Sequence, residues 1–293
     1  MINLKDNKVF SQNGEDGIIE HIFDTIGTTN KFFLEFGTGP GAVECNTRHL
    51  RENKEWKGVM WDLGATPDNE NIGLFKEKIE LENVHGLFEK YNISENLDFM
   101  SIDIDYNDWH IWKKIGEKYK PRVVCIEYNF QYSPYDDVVA PYDPEGGPMG
   151  REGKLTSCAQ GSILAYYKLA KYLGYSLICS DAKGINLFFI RNDCNPKIED
   201  FPMMNDLFTI YDLTFHLRLS TYDIIGYPNI KKNVKYLSAQ EILNLEDEDF
   251  SDCKHEYLRW YIPMRVYDDG RLQCPIGLQL NPSGLGLGSH SKI

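Results

Sequence analysis

The sequence predicts an α/β fold built around a largely parallel sheet. Apolar strand-like runs alternate with segments of helical apolar periodicity up to about residue 192, which is the pattern of successive βαβ units. One run, RVVCIEYN at 122–129, is almost continuously apolar, as expected of a strand that helices cover on both faces. The last two strand-like runs are joined by a short turn, which predicts an antiparallel hairpin at an edge of the sheet.

The individual elements follow from local patterns. A helix is expected at 13–26, because Glu15 and Asp16 suit its N-terminal dipole and an apolar face follows them. The other expected elements are strands at 31–37, 57–62, 98–105, 122–129, 175–181 and 185–193, a weak strand near 78–84, and helices at 44–54, at 158–173 and through Trp109, Trp112 and Ile115.

Composition and charge exclude several classes of protein. The chain has 293 residues, 42% of them hydrophobic and 26% charged, so a wholly disordered or collagen-like chain is excluded. Its net charge of −13 argues against a nucleic-acid partner, since that affinity rests on Lys and Arg. The seven cysteines include no CxxC pair, and the N-terminus has no apolar signal region. We expect a cytoplasmic protein without membrane insertion, and a homo-oligomer stays open.

Two segments fall outside the alternating pattern. Residues 130–157 contain many prolines and glycines and predict a long loop, and such loops inside compact domains are usually functional. After residue 194 the pattern breaks into short mixed pieces with an acidic run, LEDEDFSD. We therefore divide the chain into a main domain at 1–194 and a C-terminal extension at 195–293, whose expected role is acceptor selection or oligomerisation.

A glycine-rich turn directly follows the first expected strand, in the run FLEFGTGPGA. Such a turn lets a cofactor approach the backbone at the carboxyl edge of a sheet, and as GxGxxA it also fits a dinucleotide fingerprint. Glu35, however, would attract an ammonium and oppose a pyrophosphate, and Pro40 removes an amide that a phosphate would use. Asp62, at the end of the next strand, is placed to bind a ribose diol. The pattern fits S-adenosylmethionine at least as well as NAD, and a turn with two surface acids is the alternative without function.

Acidic and amide side chains follow the next two strands. Asp103 and Asp105 end the expected strand at 98–105, and Glu127 and Asn129 end the following one. Because the carboxyl ends of adjacent parallel strands meet at one edge, these oxygens predict a site for Mg²⁺ or a similar divalent cation. Strand alternation would place Asp103 and Asp105 on one face. The alternative is that these acids cap the next helix, which is the interpretation we favour for Asp108.

Further candidate residues lie around this edge. His110 begins a helix and could be a general base, although a surface or packing histidine is the more common case. Gln12, Glu15 and Asp16 would contribute if the first helix adjoins the crevice. Four tyrosines flank or line the long loop, where rings can stack on sugar faces, with core packing as the equal alternative. They are Tyr128, Tyr132, Tyr135 and Tyr142.

Taken together, the segments from about Phe10 to Asp193 resemble the FkbM-like class I S-adenosylmethionine-dependent methyltransferases. The similar segments are SQNGEDGIIEHIF, FFLEFGTGPG followed by CNTRHL, WKGVMWD, DFMSIDIDYNDWHIW, PRVVCIEYN, SPYDDVVAPYDP and GYSLICSDAKGINLFFIRND. The resemblance covers roughly two thirds of the chain. It implies a Rossmann-like sheet of seven strands, a methyltransferase domain at 1–194, and O-methylation, commonly of sugars in surface glycans or natural products.

The resemblance also implies roles for individual residues. It places Glu35, Gly37 and Gly39 around the methionine moiety and Asp62 at the ribose. Similarity to metal-dependent sugar and catechol O-methyltransferases makes Asp103, Glu127 and Asn129 the metal candidates. Many relatives have Gly after the acids of strand four, where this chain has Tyr106. The complete expectation is catalysis by Asp105 and His110, cofactor binding by Gln12, Glu35, Gly37, Thr38, Gly39, Asp62, Asn83 and Asp103, metal binding by Asp103, Glu127 and Asn129, and substrate contacts from Tyr128, Tyr132 and Tyr142.

The sequence therefore predicts a metal-assisted O-methyltransferase that acts on a sugar or sugar nucleotide. One alternative is a nucleotide-sugar glycosyltransferase, because Asp103-Ile104-Asp105 has the form of a DxD metal site. Another is an NAD-dependent oxidoreductase that uses the glycine turn. A third is a non-catalytic binding protein that keeps the fold.

Overall fold

The computed structural model describes residues 8–130, 132, 134–146, 159–211 and 238–245, and the backbone of two short strands further on. The strands are β1 Phe32–Phe36, β2 Lys57–Trp61, β3 Leu74–Phe75, β4 Phe99–Ile102, β5 Val123–Glu127, β6 Tyr175–Ser180, β7 Asn186–Arg191, β8 Arg265–Val266 and β9 Leu272–Gln273. The α-helices are α1 Glu15–Ile26, α2 Arg48–Asn53, α3 Val84–Lys90, α4 Asp108–Ile115, α5 Ile163–Leu173 and α6 Ala239–Leu243, with 3₁₀ turns at Pro67–Ile72 and Asn192–Cys194.

Within the described residues, seven strands form one sheet in the order β3-β2-β1-β4-β5-β7-β6. Strands β1 to β5 pair in parallel, whereas β7 runs antiparallel to both β5 and β6. This confirms the expected mostly parallel sheet with its antiparallel edge hairpin. The order also brings the carboxyl ends of β1, β2, β4 and β5 to one edge, which is where open α/β sheets bind ligands.

Helices cover both faces of the sheet. On one face α1 and α2 pack on Phe33, Phe99 and Val123, and on the other face α3, α4 and α5 pack on residues such as Leu34 and Met100. The strand β5 is buried along its first four residues, as its apolar run predicts.

Four expected elements differ clearly from the structure, and one of them is the helix expected at 44–54, which begins only at Arg48. The predicted strand at 78–84 is wrong, because the Asn83 side chain accepts from the Glu80 amide and donates to the Lys78 carbonyl, which closes a turn before α3. The strand predicted to reach residue 105 ends at Ile102, since Asp108 takes the Ile104 amide. The alternation argument for Asp103 and Asp105 therefore does not apply. The last predicted helix of the main domain begins at Ile163, where the Ser162 hydroxyl caps it.

Two described segments of the C-terminal extension, 195–211 and 238–245, pack against the main domain. Asn205 exchanges backbone and side-chain hydrogen bonds with Leu177 of β6, and Phe201 joins the core beside α1. The start of α6 is bound by Asp137, whose carboxylate accepts from the Ser238 hydroxyl and from two amides of the helix. The acidic run after residue 245 and the C-terminal tail lie outside the described residues, and the boundary at 194 stays a prediction.

None of the helices in the described ranges combines the length and the apolar character that crossing a bilayer requires.

Candidate functional site

The glycine turn after β1 packs directly against the residue that follows β4. Gly37 has a φ of +71°, and a Cβ added there would lie 1.5 Å from the backbone oxygen of Asp103. The Gly37 amide donates to the carbonyl of Trp61 at the end of β2. Only glycine fits this position, because any side chain would overlap the backbone of the neighbouring strand end.

Asp62 joins the two loops that border the turn. Its Oδ2 accepts from the Gly39 amide at 2.8 Å and its Oδ1 from the Gly64 amide at 2.7 Å. An ionised carboxylate has about four acceptor positions, so each oxygen can still accept from a ligand hydroxyl. A Cβ added at Gly39 would meet no atom of the described residues within 4 Å, so this side of the turn is open among them. Thr38, between the two glycines, directs its hydroxyl to the Gly39 carbonyl.

Glu35 has a structural task that the sequence did not reveal. Its side chain is 4% exposed and accepts from the amides of Asn46 and Thr47 and from the Thr47 hydroxyl. Burial raises the pKa of this carboxyl, and these hydrogen bonds partly oppose that rise. The carboxylate therefore fixes the turn that leads into α2, and its predicted contact with a cofactor ammonium stays a prediction.

Three carboxylates converge beyond the glycine turn. Asp103, Asp105 and Glu127 each offer an oxygen, and these oxygens lie within 4.8 Å of one another. Asp103 and Glu127 are half-buried at the ends of β4 and β5, whereas Asp105 is exposed and has a left-handed φ of 68°. We call these three residues the carboxylate group. Hard oxygen ligands at this spacing fit Mg²⁺ or a similar divalent cation.

The carboxylate group carries an unfavourable concentration of negative charge. Burial and the neighbouring Asp105 raise the pKa of Asp103 to about 7. Burial and then Asp103 raise the pKa of Glu127, and burial and Asp62 raise that of Asp105. The group therefore retains a proton or attracts a cation.

Asp108 is the first residue of α4 and is 0% exposed. Its Oδ1 accepts from the Ile104 amide at 2.8 Å, so it stabilises the loop before α4, and the expectation that it caps the helix is corrected. Its Oδ2 has no hydrogen-bond partner among the described residues, and neither does the buried hydroxyl of Tyr166. Burial, followed by Asp103, raises the pKa of Asp108 well above its usual value.

Gln160 contacts the carboxylate group and was not identified from the sequence. Its Nε2 donates to Glu127, its backbone amide donates to the Tyr106 carbonyl, and its carbonyl accepts from the Ala140 amide. The segment AQGS carries no motif, so only the tertiary structure reveals this residue.

His110 is held by the long loop. Its Nε2 lies 2.7 Å from the carbonyl of Ala140, which can only accept, so this nitrogen carries the proton. Burial lowers the pKa of the ring. Nε2 therefore cannot be a general base while this bond holds, and the predicted catalytic role would fall to Nδ1.

The predicted aromatic contacts divide into two kinds. Tyr128 is 2% exposed and lies within the core, which favours the packing alternative, and its substrate contact stays a prediction. Tyr142 joins the loop to residues 81–82, since its hydroxyl accepts from the Leu81 amide and donates to Glu82, and its ring packs on His110. Tyr132 is half-buried and Tyr135 is exposed. Tyr142 and Tyr132 stay candidates for acceptor contact.

The remaining predicted residues are Gln12, Asn83 and Asn129. Gln12 is exposed, in a segment that Asp16 orders by accepting the amides of residues 9–11. Asn83 is used in its own turn, and the Asn129 amide donates to the Ala159 carbonyl. Their cofactor and metal roles stay predictions.

No protein-family model matches the chain, and no curated protein is significantly similar to it. Among solved structures, the chain is similar to one described as the citrinin polyketide synthase CMeT domain. That similarity has a TM-score of 0.37 and 12% identity, and it covers 61% of this chain and 51% of the other. The chain thus spans about half the length of that structure. A similarity this low carries no information on activity.

Proposed function

We propose that the protein is an S-adenosylmethionine-dependent O-methyltransferase that uses a divalent cation to methylate a hydroxyl of a sugar or sugar nucleotide. The observation that carries this proposal is the direct contact of two sites. The glycine turn meets Asp103 through Gly37, so a donor at the turn would lie beside the carboxylate group. A transferase must hold the group of its donor directly beside the acceptor hydroxyl that receives it.

The donor half of the site is the open side of Gly39 together with Asp62. Asp62 would accept from the ribose hydroxyls through positions that the Gly39 and Gly64 amides leave free. The charges that act most strongly on Asp103, Asp105 and Glu127 are those of other carboxylates. This negative field favours a cationic sulfonium over the pyrophosphate of NAD.

The acceptor half is the carboxylate group. Its three oxygen donors fit a divalent cation, and cation binding would relieve the mutual repulsion that raises the pKa of Asp103. Asp103 and Glu127 would hold the cation and Asn129 is the third candidate, which leaves Asp105 beside them to accept a proton. When bound, such a cation lowers the pKa of a coordinated hydroxyl and orients it.

The reaction needs little beyond orientation and one proton acceptor. The hydroxyl oxygen forms a bond to the methyl carbon as the carbon–sulfur bond breaks, and the sulfonium becomes a neutral thioether. The hydroxyl proton passes to Asp105, the exposed member of the group. The long loop, held on His110 and Gln160 through Ala140, would exclude water and select the acceptor. The family resemblance favours a carbohydrate.

The first experiment is calorimetric titration of S-adenosylmethionine into the full chain, with and without Mg²⁺. Micromolar binding supports the proposal, whereas heat from NADH or from UDP-glucose with Mg²⁺ would favour an oxidoreductase or a glycosyltransferase instead. If S-adenosylmethionine, NADH and UDP-glucose all give no heat of binding, and no methyl group is transferred to a panel of sugars, a non-catalytic binding protein would be favoured.

The second experiment tests the acceptor half by transfer of labelled methyl groups at saturating donor. The double variant Asp103→Asn/Glu127→Gln should lose transfer, whereas Asp68→Asn/Glu70→Gln, on an exposed 3₁₀ turn, makes the same charge change elsewhere. Full transfer by the first variant would overturn the proposed role of the carboxylate group.

A further inference from the structure

Gln160 is held by three hydrogen bonds of its own and by a β-bridge at the neighbouring residue. Its backbone amide donates to Tyr106, which follows the acids of β4, and its carbonyl accepts from Ala140 of the long loop. Next to it, Val139 pairs with Gly161 as an isolated β-bridge. With its backbone held, the side-chain amide reaches Glu127 at the end of β5. One residue thereby connects the β4 turn, the loop and the carboxylate group.

The backbone conformation at this position does not favour glutamine. Gln160 has a φ of 52°, a left-handed conformation in which glycine is unstrained, and the residue is 6% exposed. A residue with a side chain is strained in such a conformation, whereas glycine is not. Glycine would avoid this strain, but it lacks the side-chain amide with which Gln160 donates to Glu127.

We propose that Gln160 is a positioning residue that orients the Glu127 carboxylate for cation binding. An amide N–H can only donate, so it occupies one oxygen of Glu127 and restricts the rotation of that carboxylate. Glu127 then presents its remaining acceptor positions toward Asp103 and Asp105 at the spacing observed. This inference rests on the proposed function, since it takes the carboxylate group to be a cation site. Groups that orient metal ligands in this way typically contribute about ten- to hundredfold in metal affinity.

The test measures Mn²⁺ binding to the full chain by electron paramagnetic resonance, without any substrate. Gln160→Gly removes the amide but suits the left-handed backbone, so it should fold at least as stably as Gln160→Ala while both bind Mn²⁺ about ten- to hundredfold more weakly. Gln240→Ala is the matched control, because that half-buried glutamine bonds Lys168 and not the carboxylate group, and its Mn²⁺ affinity should be unchanged. Wild-type affinity in Gln160→Gly would overturn the inference.

A double-mutant cycle separates positioning from a general structural effect. If Gln160 acts through Glu127, then adding Gln160→Gly to Glu127→Gln should weaken Mn²⁺ binding no further. Additive losses would show that Gln160 acts by another route and would contradict the proposal. Binding of S-adenosylmethionine is measured on the same samples. If the wild type binds S-adenosylmethionine but no Mn²⁺, the cation site and this inference are overturned, but the protein can still be a methyltransferase. If it binds Mn²⁺ but no S-adenosylmethionine, only the proposed methyltransferase activity is overturned.

Discussion

The α-carbon of Gly37 faces the backbone oxygen of Asp103 so closely that a Cβ on Gly37 would lie 1.5 Å from it. This contact joins the end of β1 to the end of β4 and sets the separation of the glycine turn from the carboxylate group. The side chain of residue 37 is therefore excluded by the neighbouring strand, independently of any ligand.

Two glycines of the same turn give a matched pair of substitutions. Gly37 and Gly39 share a φ of +71°, so alanine strains the backbone equally at both, by roughly 1–2 kcal/mol. Gly37→Ala also forces the backbone of Asp103 to move, whereas the new Cβ of Gly39→Ala meets no atom within 4 Å in the part of the chain that the structure describes. We expect Gly37→Ala to lower the melting temperature far more than Gly39→Ala does. Gly39→Ala should fold but bind S-adenosylmethionine weakly, as titration calorimetry would measure. Equal melting temperatures for the two variants would contradict this account of the turn.

Asp62→Asn tests the link between the two loops. Asparagine has one acceptor oxygen, so it can keep the bond from Gly39 or the bond from Gly64, but it loses the geometry in which separate oxygens accept each amide. We expect the affinity for S-adenosylmethionine to fall about tenfold or more, since a lost charge-assisted hydrogen bond costs about 1.5–3 kcal/mol. Asp68→Asn, an exposed acid, is the control. An unchanged dissociation constant for Asp62→Asn would show that these bonds do not shape the donor site.

The stability of the cation-free protein should depend on pH through Asp103. Its pKa is raised to about 7 in the folded protein, whereas an aspartate in the unfolded chain ionises near pH 4, at about 3.9. The folded state therefore holds this proton more tightly, and that stabilisation is lost as the pH rises from about 4 through 7. Asp103→Asn cannot ionise, so its melting temperature should fall less than that of the wild type between pH 5 and 8.

A second aspartate with a raised pKa does not disturb the comparison of wild type with Asp103→Asn, and Mn²⁺ provides an independent check of it. Burial raises the pKa of Asp181 to about 7 as well, but Asp181 is present in both proteins and its contribution cancels in the difference. Mn²⁺ should raise the melting temperature of the wild type more at pH 8 than at pH 5, because protons compete with the cation. Parallel pH profiles for wild type and Asp103→Asn would contradict the assignment.

His110 and Asp105 should affect different kinetic constants. His110 donates its Nε2 proton to Ala140 and so holds the loop, whereas Asp105 is exposed beside the other carboxylates. We expect His110→Ala to raise KM for the acceptor with little change in kcat. Asp105→Asn should lower kcat by about 10²–10⁴, the usual contribution of a general base. A comparable loss of kcat in His110→Ala would return the catalytic role to its Nδ1.

Asp137→Asn should release the C-terminal helix. The Asp137 carboxylate accepts from Lys168, from the Ser238 hydroxyl and from the amides of Ala239 and Gln240. These bonds hold the pKa of Asp137 below its usual value against the effect of burial, so its ionised form stabilises the contact. We expect faster hydrogen exchange at residues 238–245 in the variant, with Asp200→Asn, an exposed acid, as the control. Unchanged exchange there would show that other contacts hold the helix.

The sequence by itself determined the α/β class and most of the strands of the main sheet, because alternation of apolar runs and helical periodicity depends on short-range patterns. It also located the loops that follow β1, β2, β4 and β5, since the residues after a buried strand form the edge of a parallel sheet. It was wrong at 78–84 and at the end of β4, where the side chains of Asn83 and Asp108 bond backbone amides that a strand would have used.

Only the tertiary structure decided which of these residues face one another. It brought Asp103, Asp105 and Glu127 together, placed Tyr128 in the core, and gave Glu35 to the turn before α2. It also brought Gln160 to Glu127, across 33 positions of the chain. No local pattern encodes these contacts, because they follow from strand order and from loops that cross the edge of the sheet. The residue types predicted the chemistry of the site, but its geometry depends on the packing of the whole fold.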